Sequence, residues 1–169
     1  MSYNMKQQDL QNNFTKLIRE NERIIHKVCF LYAGNEPDRH DLFQEIVFNA
    51  WKSYPKFRGA AKFSTWLYQV ALNTALTGFR KEKRAIVSYM EQLPEMNFFT
   101  VNSEENEQLE ILYKAIDQLS EVEKALVMLY LDGKSYEEMA TIIGLPGGAL
   151  RVRMTRIKDK LRTITKNKA

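Results

Sequence analysis

A chain of 169 residues carrying 25 Lys/Arg against 21 Asp/Glu, net charge +4, has room for one ordinary domain or two small ones. Its single cysteine, Cys29, excludes an internal disulfide framework, and no run approaches the roughly 20 apolar residues of a membrane-spanning helix. The N-terminus MSYNMKQQDL lacks an apolar signal core, so a soluble, cytoplasmic protein is expected.

In chain order, positions 1–11 are polar and are expected to fray. Phe14, Leu17, Ile18, Ile24, Ile25, Val28, Leu31 and Tyr32 then recur at helical spacing. His26 precedes Cys29 by three residues and His40 is the other histidine. No further ligand stands at metal spacing, so Cys29 reads as a packed apolar residue, and neither metal nor cofactor is expected. Gly34, Asn35 and Pro37 break the first helix. A second starts near Asp38–Asp41, with Leu42, Phe43, Ile46, Val47, Ala50, Trp51 and Tyr54 on its apolar side, and Pro55 ends it.

The loop opening at Phe57 contains Gly59 and runs to Ser64, which is expected to cap the third helix. Trp66, Leu67, Val70, Ala71, Leu76 and Phe79 form that helix's apolar series, which closes on Arg80, Lys81, Lys83 and Arg84. An aromatic, basic loop beside a mid-helix amide, Asn73, suits single-stranded nucleic acid, where bases stack on rings and phosphates meet cations. Composition alone favours the plainer reading, in which Phe63, Trp66 and Phe79 are core residues. From Ser88 to Gln108 the periodicity dissolves around Pro94, so a flexible linker is expected.

Helical pattern resumes with Leu109, Leu112, Ile116 and Leu119. Ser120 with Glu123, and Ser135 with Glu138, each have capping-box spacing. Asp132-Gly133 ends one helix, and a turn at Gly144–Gly148 leads to a final helix from about Ala149 to Thr165. No strand-like alternation occurs, so the fold is expected to be all-α: two small helical domains, 1–87 and 109–169, joined by the linker 88–108. Ala140, Gly144 and Leu150 supply the small residue, the turn glycine and the apolar anchor of a helix-turn-helix. The last helix buries Leu150, Met154, Ile157, Leu161 and Ile164 and turns its cations outward. From Leu145 to Ala169 eight Lys/Arg face one acid, whereas Ser88–Glu123 holds nine acids and one base. Separate basic contact surfaces follow from that distribution.

Three stretches carry a family resemblance. Phe57-Arg58-Gly59, Phe63-Ser64-Thr65-Trp66-Leu67, Ala71-x-Asn73 and Phe79-Arg80 resemble region 2 of extracytoplasmic-function (ECF) sigma factors of bacterial RNA polymerase. The Asp41-x-x-Gln44-Glu45 motif is similar to that family's docking segment for the polymerase β′ coiled coil. LSEVEKALVMLYLDGKSYEEMATIIGLPGGALRVRMTRIKDKLR resembles region 4, the reader of the promoter −35 element. The likeness covers roughly Phe14 to Arg162. It implies that Asp41, Leu42, Phe43, Gln44 and Glu45 dock on core polymerase, with the β flap a second core contact. It further implies that Phe57, Arg58, Lys62, Phe63, Ser64, Thr65, Trp66, Asn73, Arg80 and Arg84 handle the −10 element. Arg151, Val152, Thr155 and Arg156 would face −35 bases, with Arg153 and Lys158 on phosphates. An anti-sigma factor is the further partner the family implies, and a small-molecule substrate is not expected.

The chain departs from the family pattern in three places. Thr77 stands where the family often has Asp, and Gly78 after it is expected to loosen the helix, since glycine costs about 1 kcal/mol against alanine. The common Gly-Thr-Val-Lys-Ser-Arg becomes Gly148-Ala149-Leu150-Arg151-Val152-Arg153, which favours apolar contact at Val152, for instance with a thymine methyl. Trp66-Leu67 replaces the Trp-Trp pair of housekeeping sigma factors, a weaker melting wedge. The alternative function is a stand-alone helix-turn-helix DNA-binding regulator, which leaves FRGAAKFSTWL and DLFQE without purpose. An enzyme finds little support, since no P-loop, nucleophile–base order or paired-carboxylate pocket is present.

Overall fold

The computed structural model describes residues 2–86 and 107–166, and among them every regular element is helical. The chain divides into two compact units, Met1–Glu91 and Gln92–Ala169. The first contains α1 (Ser2–Tyr32), α2 (Glu36–Ser53), a single 3-10 turn (Tyr54–Lys56) and α3 (Phe63–Ile86). The second contains α4 (Glu107–Ile116), α5 (Glu121–Leu131), α6 (Tyr136–Ile143) and α7 (Gly147–Lys166). Most of the expected linker, 88–108, lies outside the described residues.

In the first unit α1, α2 and α3 pack pairwise. α1 begins at Ser2 rather than after position 11, because its polar opening holds Lys, Gln and Met with no glycine or proline to stop a helix. α2 begins at Glu36, earlier than the expected Asp38–Asp41. Asn35 is its N-cap and accepts the Asp38 N–H at 2.8 Å, while Pro37 sits in the first turn, where its missing N–H breaks no intrahelical bond. The Ser64 cap is corrected as well. α3 starts at Phe63, and the Trp66 N–H donates to the Lys62 carbonyl at 3.1 Å, so Ser64 lies inside the first turn. The helix runs through Gly78 to Ile86 without a break. Intrahelical bonds on both sides outweigh the local glycine penalty.

The core of this unit is Phe14, Ile18, Ile25, Val28 and Cys29 from α1, Ile46 and Ala50 from α2, and Leu67, Tyr68, Ala71, Leu72 and Ala75 from α3. Alanines at three of these positions let the helix backbones approach. A polar tie crosses the bundle: Asn49 Nδ2 donates to Thr74 Oγ1 at 3.1 Å, and Thr74 Oγ1 donates to the Val70 carbonyl at 2.8 Å. Burial pushes the Cys29 thiol up to about 11 despite the opposing charge of Arg39, so at neutral pH it is an inert, packed thiol.

In the second unit Leu119, Leu126, Leu129, Met139, Ile142, Leu150, Met154 and Ile157 close the core. Both capping boxes form. The Ser120 N–H donates to Glu123 Oε2 at 2.8 Å and the Glu123 N–H to Ser120 Oγ at 3.3 Å. Ser135 and Glu138 repeat the exchange at 2.9 and 3.1 Å. Gly144, at φ +75°, turns the chain after α6, and the Ala140 carbonyl accepts the N–H groups of Gly144 and Leu145 at 2.8 and 3.2 Å. Ala140 itself is half-buried. α7 starts at Gly147, two residues before the expected Ala149.

Burial works against ionisation of Glu123, but its bonds from the Ser120 backbone and hydroxyl and the nearby Lys160 ammonium prevail and hold it below the usual carboxylate range. A carboxylate lowered in the folded state adds stability above its unfolded value, lost as pH falls through the folded one. Glu123→Gln is therefore expected to flatten the acid-side loss of stability, read as urea midpoints over a pH series. A slope identical to that of the parent chain would show that the capping carboxylate is not linked to folding.

Candidate core-docking and nucleic-acid faces

Five aromatic rings gather where α2 hands over to α3. Phe57 lies 5.1 Å from Trp66 and 5.7 Å from Phe63, and Phe63 lies 5.2 Å from Trp66, measured between ring centroids. Tyr54 joins them at 6.3 Å and connects to Phe14 of α1 at 5.1 Å. Tyr54, Phe57, Phe63 and Trp66 are half-buried and prop one another, with Phe14 buried behind them in the core. Composition's plainer reading holds for part of each ring, while the rest borders solvent. Thr65, next to Trp66 in the chain, is buried.

From that platform the loop at positions 58–62 projects Arg58, Gly59, Ala60, Ala61 and Lys62 into solvent, and Gly59 takes φ +70°, a left-handed turn that favours glycine. Asn73 is exposed two turns along α3, about 10 Å from Trp66 by helix rise. Positions 66, 73, 77, 80 and 84 fall near one line of the helix by its period. Side chains at Arg80 and Arg84 lie outside the described residues.

On α2, Asp41, Gln44 and Glu45 are exposed, whereas Leu42 and Phe43 are half-buried. Two of the proposed docking residues meet histidines: the His26 ring lies 4.9 Å from the Phe43 ring, and Gln44 Nε2 is 2.7 Å from His40 Nε2. One residue was missed from sequence. Phe48 is 63% exposed and follows Asp41 by seven residues and Glu45 by three, which places it on the same outward face. Reading exposed positions at i, i+4 and i+7 from Asp41 would have found it.

In the second unit the buried seam Leu150, Met154 and Ile157 leaves Arg151, Val152, Arg153, Thr155 and Arg156 exposed on α7, with Val152 53% accessible. The shoulders differ. Arg151 points back to α6, with Nη2 3.9 Å from Glu137 Oε1 and its guanidinium 5.8 Å over the Tyr136 ring. Lys158 leans on α5: Nζ donates to the Tyr130 hydroxyl at 3.1 Å and sits 4.2 Å over its ring. That hydrogen bond raises the ammonium's pKa, against opposing desolvation. The Lys158 charge consequently persists at any physiological pH.

Among the described residues no group of three or more His, Cys, Asp or Glu is placed to hold a metal ion, and no helix is long and apolar enough to cross a membrane.

Comparison with known proteins follows the division into two units. Residues 17–85 match sigma-70 region 2, and residues 109–161 match sigma-70 region 4. A region 2 module followed by a region 4 module is the make-up of a sigma-70-type transcription factor. The ECF RNA polymerase sigma-E factor of Escherichia coli K12 is 32% identical over 154 residues, covering 82% of this chain and 81% of that one. Its namesake in Haemophilus influenzae is 30% identical over 168 residues, covering 92% and 88%. The protein belongs to the ECF sigma factors of RNA polymerase. Its fold matches the sigma factor RpoE from Bartonella quintana, solved in complex with the anti-sigma factor NepR, with TM-score 0.71 and 20% identity over 91% of this chain and 97% of that one. CnrH, solved with the cytosolic domain of CnrY, gives TM-score 0.65 at 19% identity, over 94% and 91%.

Proposed function

We propose that this sigma factor works as a non-catalytic, cytoplasmic specificity subunit: residues 1–87 dock core polymerase and open the −10 element, 88–108 link, and 109–169 read the −35 element. The carrying observation is the presence, in one chain, of an exposed acid–amide–phenyl face on α2 and an exposed arginine-rich face on α7. A stand-alone helix-turn-helix regulator would need only the second.

Asp41, Gln44, Glu45 and Phe48, backed by Leu42 and Phe43, form the contact with the β′ coiled coil in this reading, and the second unit meets the β flap. Phe57, Phe63 and Trp66 hold the loop in shape from below, and Thr65 and Ser64 support its base. Arg58 and Lys62 take backbone phosphates of the opened strand, and Arg80 and Arg84 extend that path. Asn73 reads a base edge, since one amide both donates and accepts. Binding energy offsets base unstacking of a few kcal/mol, with no covalent chemistry. On α7, Arg151, Val152, Thr155 and Arg156 face base edges, and Arg153 and Lys158 face phosphates. The structural neighbour solved with the anti-sigma factor NepR supports an anti-sigma factor for this chain too.

Abortive transcription with bacterial core polymerase on a promoter library tests the whole assignment. Initiation that depends on the protein and shares one −35/−10 pair is the expected result. No core binding would sink it. Arg156→Ala is expected to cost about 1–3 kcal/mol at one −35 base pair, and Asn73→Ala to lower open-complex formation, both with core affinity unchanged. Loss of core affinity in either variant would remove that residue from the DNA-reading set.

A further inference from the structure

Arg151 stands at the leading end of the helix that the proposed function assigns to DNA, yet in the free protein its guanidinium is turned toward a carboxylate. Glu137, in the first turn of α6, lies 3.9 Å away across a groove of about 220 Å3 lined by Tyr136, Glu137, Gly147, Gly148 and Arg151. The groove opens to solvent between the starts of two helices, and Tyr136 stacks under the guanidinium at 5.8 Å. Both capping duties at the start of α6 belong to Ser135 and Glu138. Glu137 is therefore free of a structural role in the cap.

We infer that Glu137 is a built-in competitor for Arg151, a carboxylate that occupies the place a DNA phosphate or base acceptor would take and must be displaced when DNA binds. At 3.9 Å the two form an ion pair, and the pair together presents no net charge to the duplex. Sequence-independent binding rests on net phosphate neutralisation, so it suffers most. Glu137 thus raises discrimination by weakening contact with every duplex except one whose bases engage Arg151 well enough to repay its release. The inference rests on α7 being the DNA-facing helix. It adds a specificity-determining residue on α6, outside that helix.

The pair is exposed, with 67% and 80% of the two side chains accessible, so its effect is modest. Glu137→Gln in the full chain is expected to tighten binding of a random-sequence duplex pool by about two- to fivefold at low salt. The gain should shrink as salt rises, since freeing one cation steepens the salt dependence by about one ion. Fluorescence anisotropy reads both. The decisive arm is the second background: the gain is expected to vanish with Arg151→Ala and to persist with Arg156→Ala, since among the described residues Glu137 pairs with Arg151 and not with Arg156. An equal gain with Arg151→Ala would overturn the inference, because the carboxylate would then be repelling DNA directly. No gain from Glu137→Gln while Arg151→Ala weakens binding would also overturn it, leaving the DNA-reading role of α7 standing. Binding indifferent to Arg151→Ala would remove both the inference and Arg151 from that role.

Discussion

Leu150→Ala is expected to destabilise the second unit by about 2–5 kcal/mol. Leu150 is fully buried in the first turns of α7, and α7 is the helix against which α4, α5 and α6 all pack. Truncation removes buried apolar surface where α7 is anchored, in a close-packed core that also holds Met139, Met154 and Ile157. Val152→Ala, two residues on and half-exposed, is the matched control, with an expected change within about 0.5 kcal/mol. Urea titration of the full chain followed by far-UV circular dichroism makes the comparison. Fluorescence from Trp51 and Trp66, both in the first unit, lets the transitions be assigned. Equal midpoints for the two variants would mean that Leu150 does not hold α7 in place. On the proposed assignment, loss of the seam should also abolish −35-dependent initiation, because the exposed arginines would no longer be presented from a fixed helix.

Phe48→Ser should leave folding intact yet weaken core polymerase binding by about 30-fold, the equivalent of about 2 kcal/mol. A phenyl ring left 63% exposed contributes little to the folded state, and its removal exposes no cavity. Such a ring in the middle of a polar helix face has the character of an interface anchor: a large apolar area surrounded by groups that exclude water once the partner is seated. Glu45→Gln, by contrast, removes a rim charge and is expected to slow association and flatten its salt dependence, with a smaller change in affinity. Surface-immobilised core polymerase titrated with each variant would separate them. Unchanged affinity for the Phe48 variant would place the ring outside the interface.

Much of this protein was readable without its fold, and for one reason: the deciding interactions are local. Each capping box joins residues three apart, and the turn at Gly144 needs positive φ from the residue that occupies it. The cationic face of α7 follows from the helical period once Leu150, Met154 and Ile157 are recognised as buried. Local rules also explain the misses at helix starts. The break at Gly34–Asn35 is present, but α2 starts at Glu36 rather than near Asp38–Asp41 because proline suits a first helical turn, and Ser64 inside a first turn has the same sequence appearance as a serine just before it.

What the tertiary structure alone decided concerns the faces. Whether Phe57, Phe63 and Trp66 stand free or prop one another depends on Tyr54 and, through it, on Phe14 forty residues earlier in the chain. The exposure of Phe48 depends on where α1 and α3 lie against α2, and nothing in its own turn of helix separates it from a buried phenylalanine. Pairing of Arg151 with Glu137 requires the turn to bring the starts of α6 and α7 side by side. Sequence by itself determined the helices, their order and the family; packing between residues distant in the chain determined which side chains remain for a partner, because burial is a property of neighbours that periodicity cannot name.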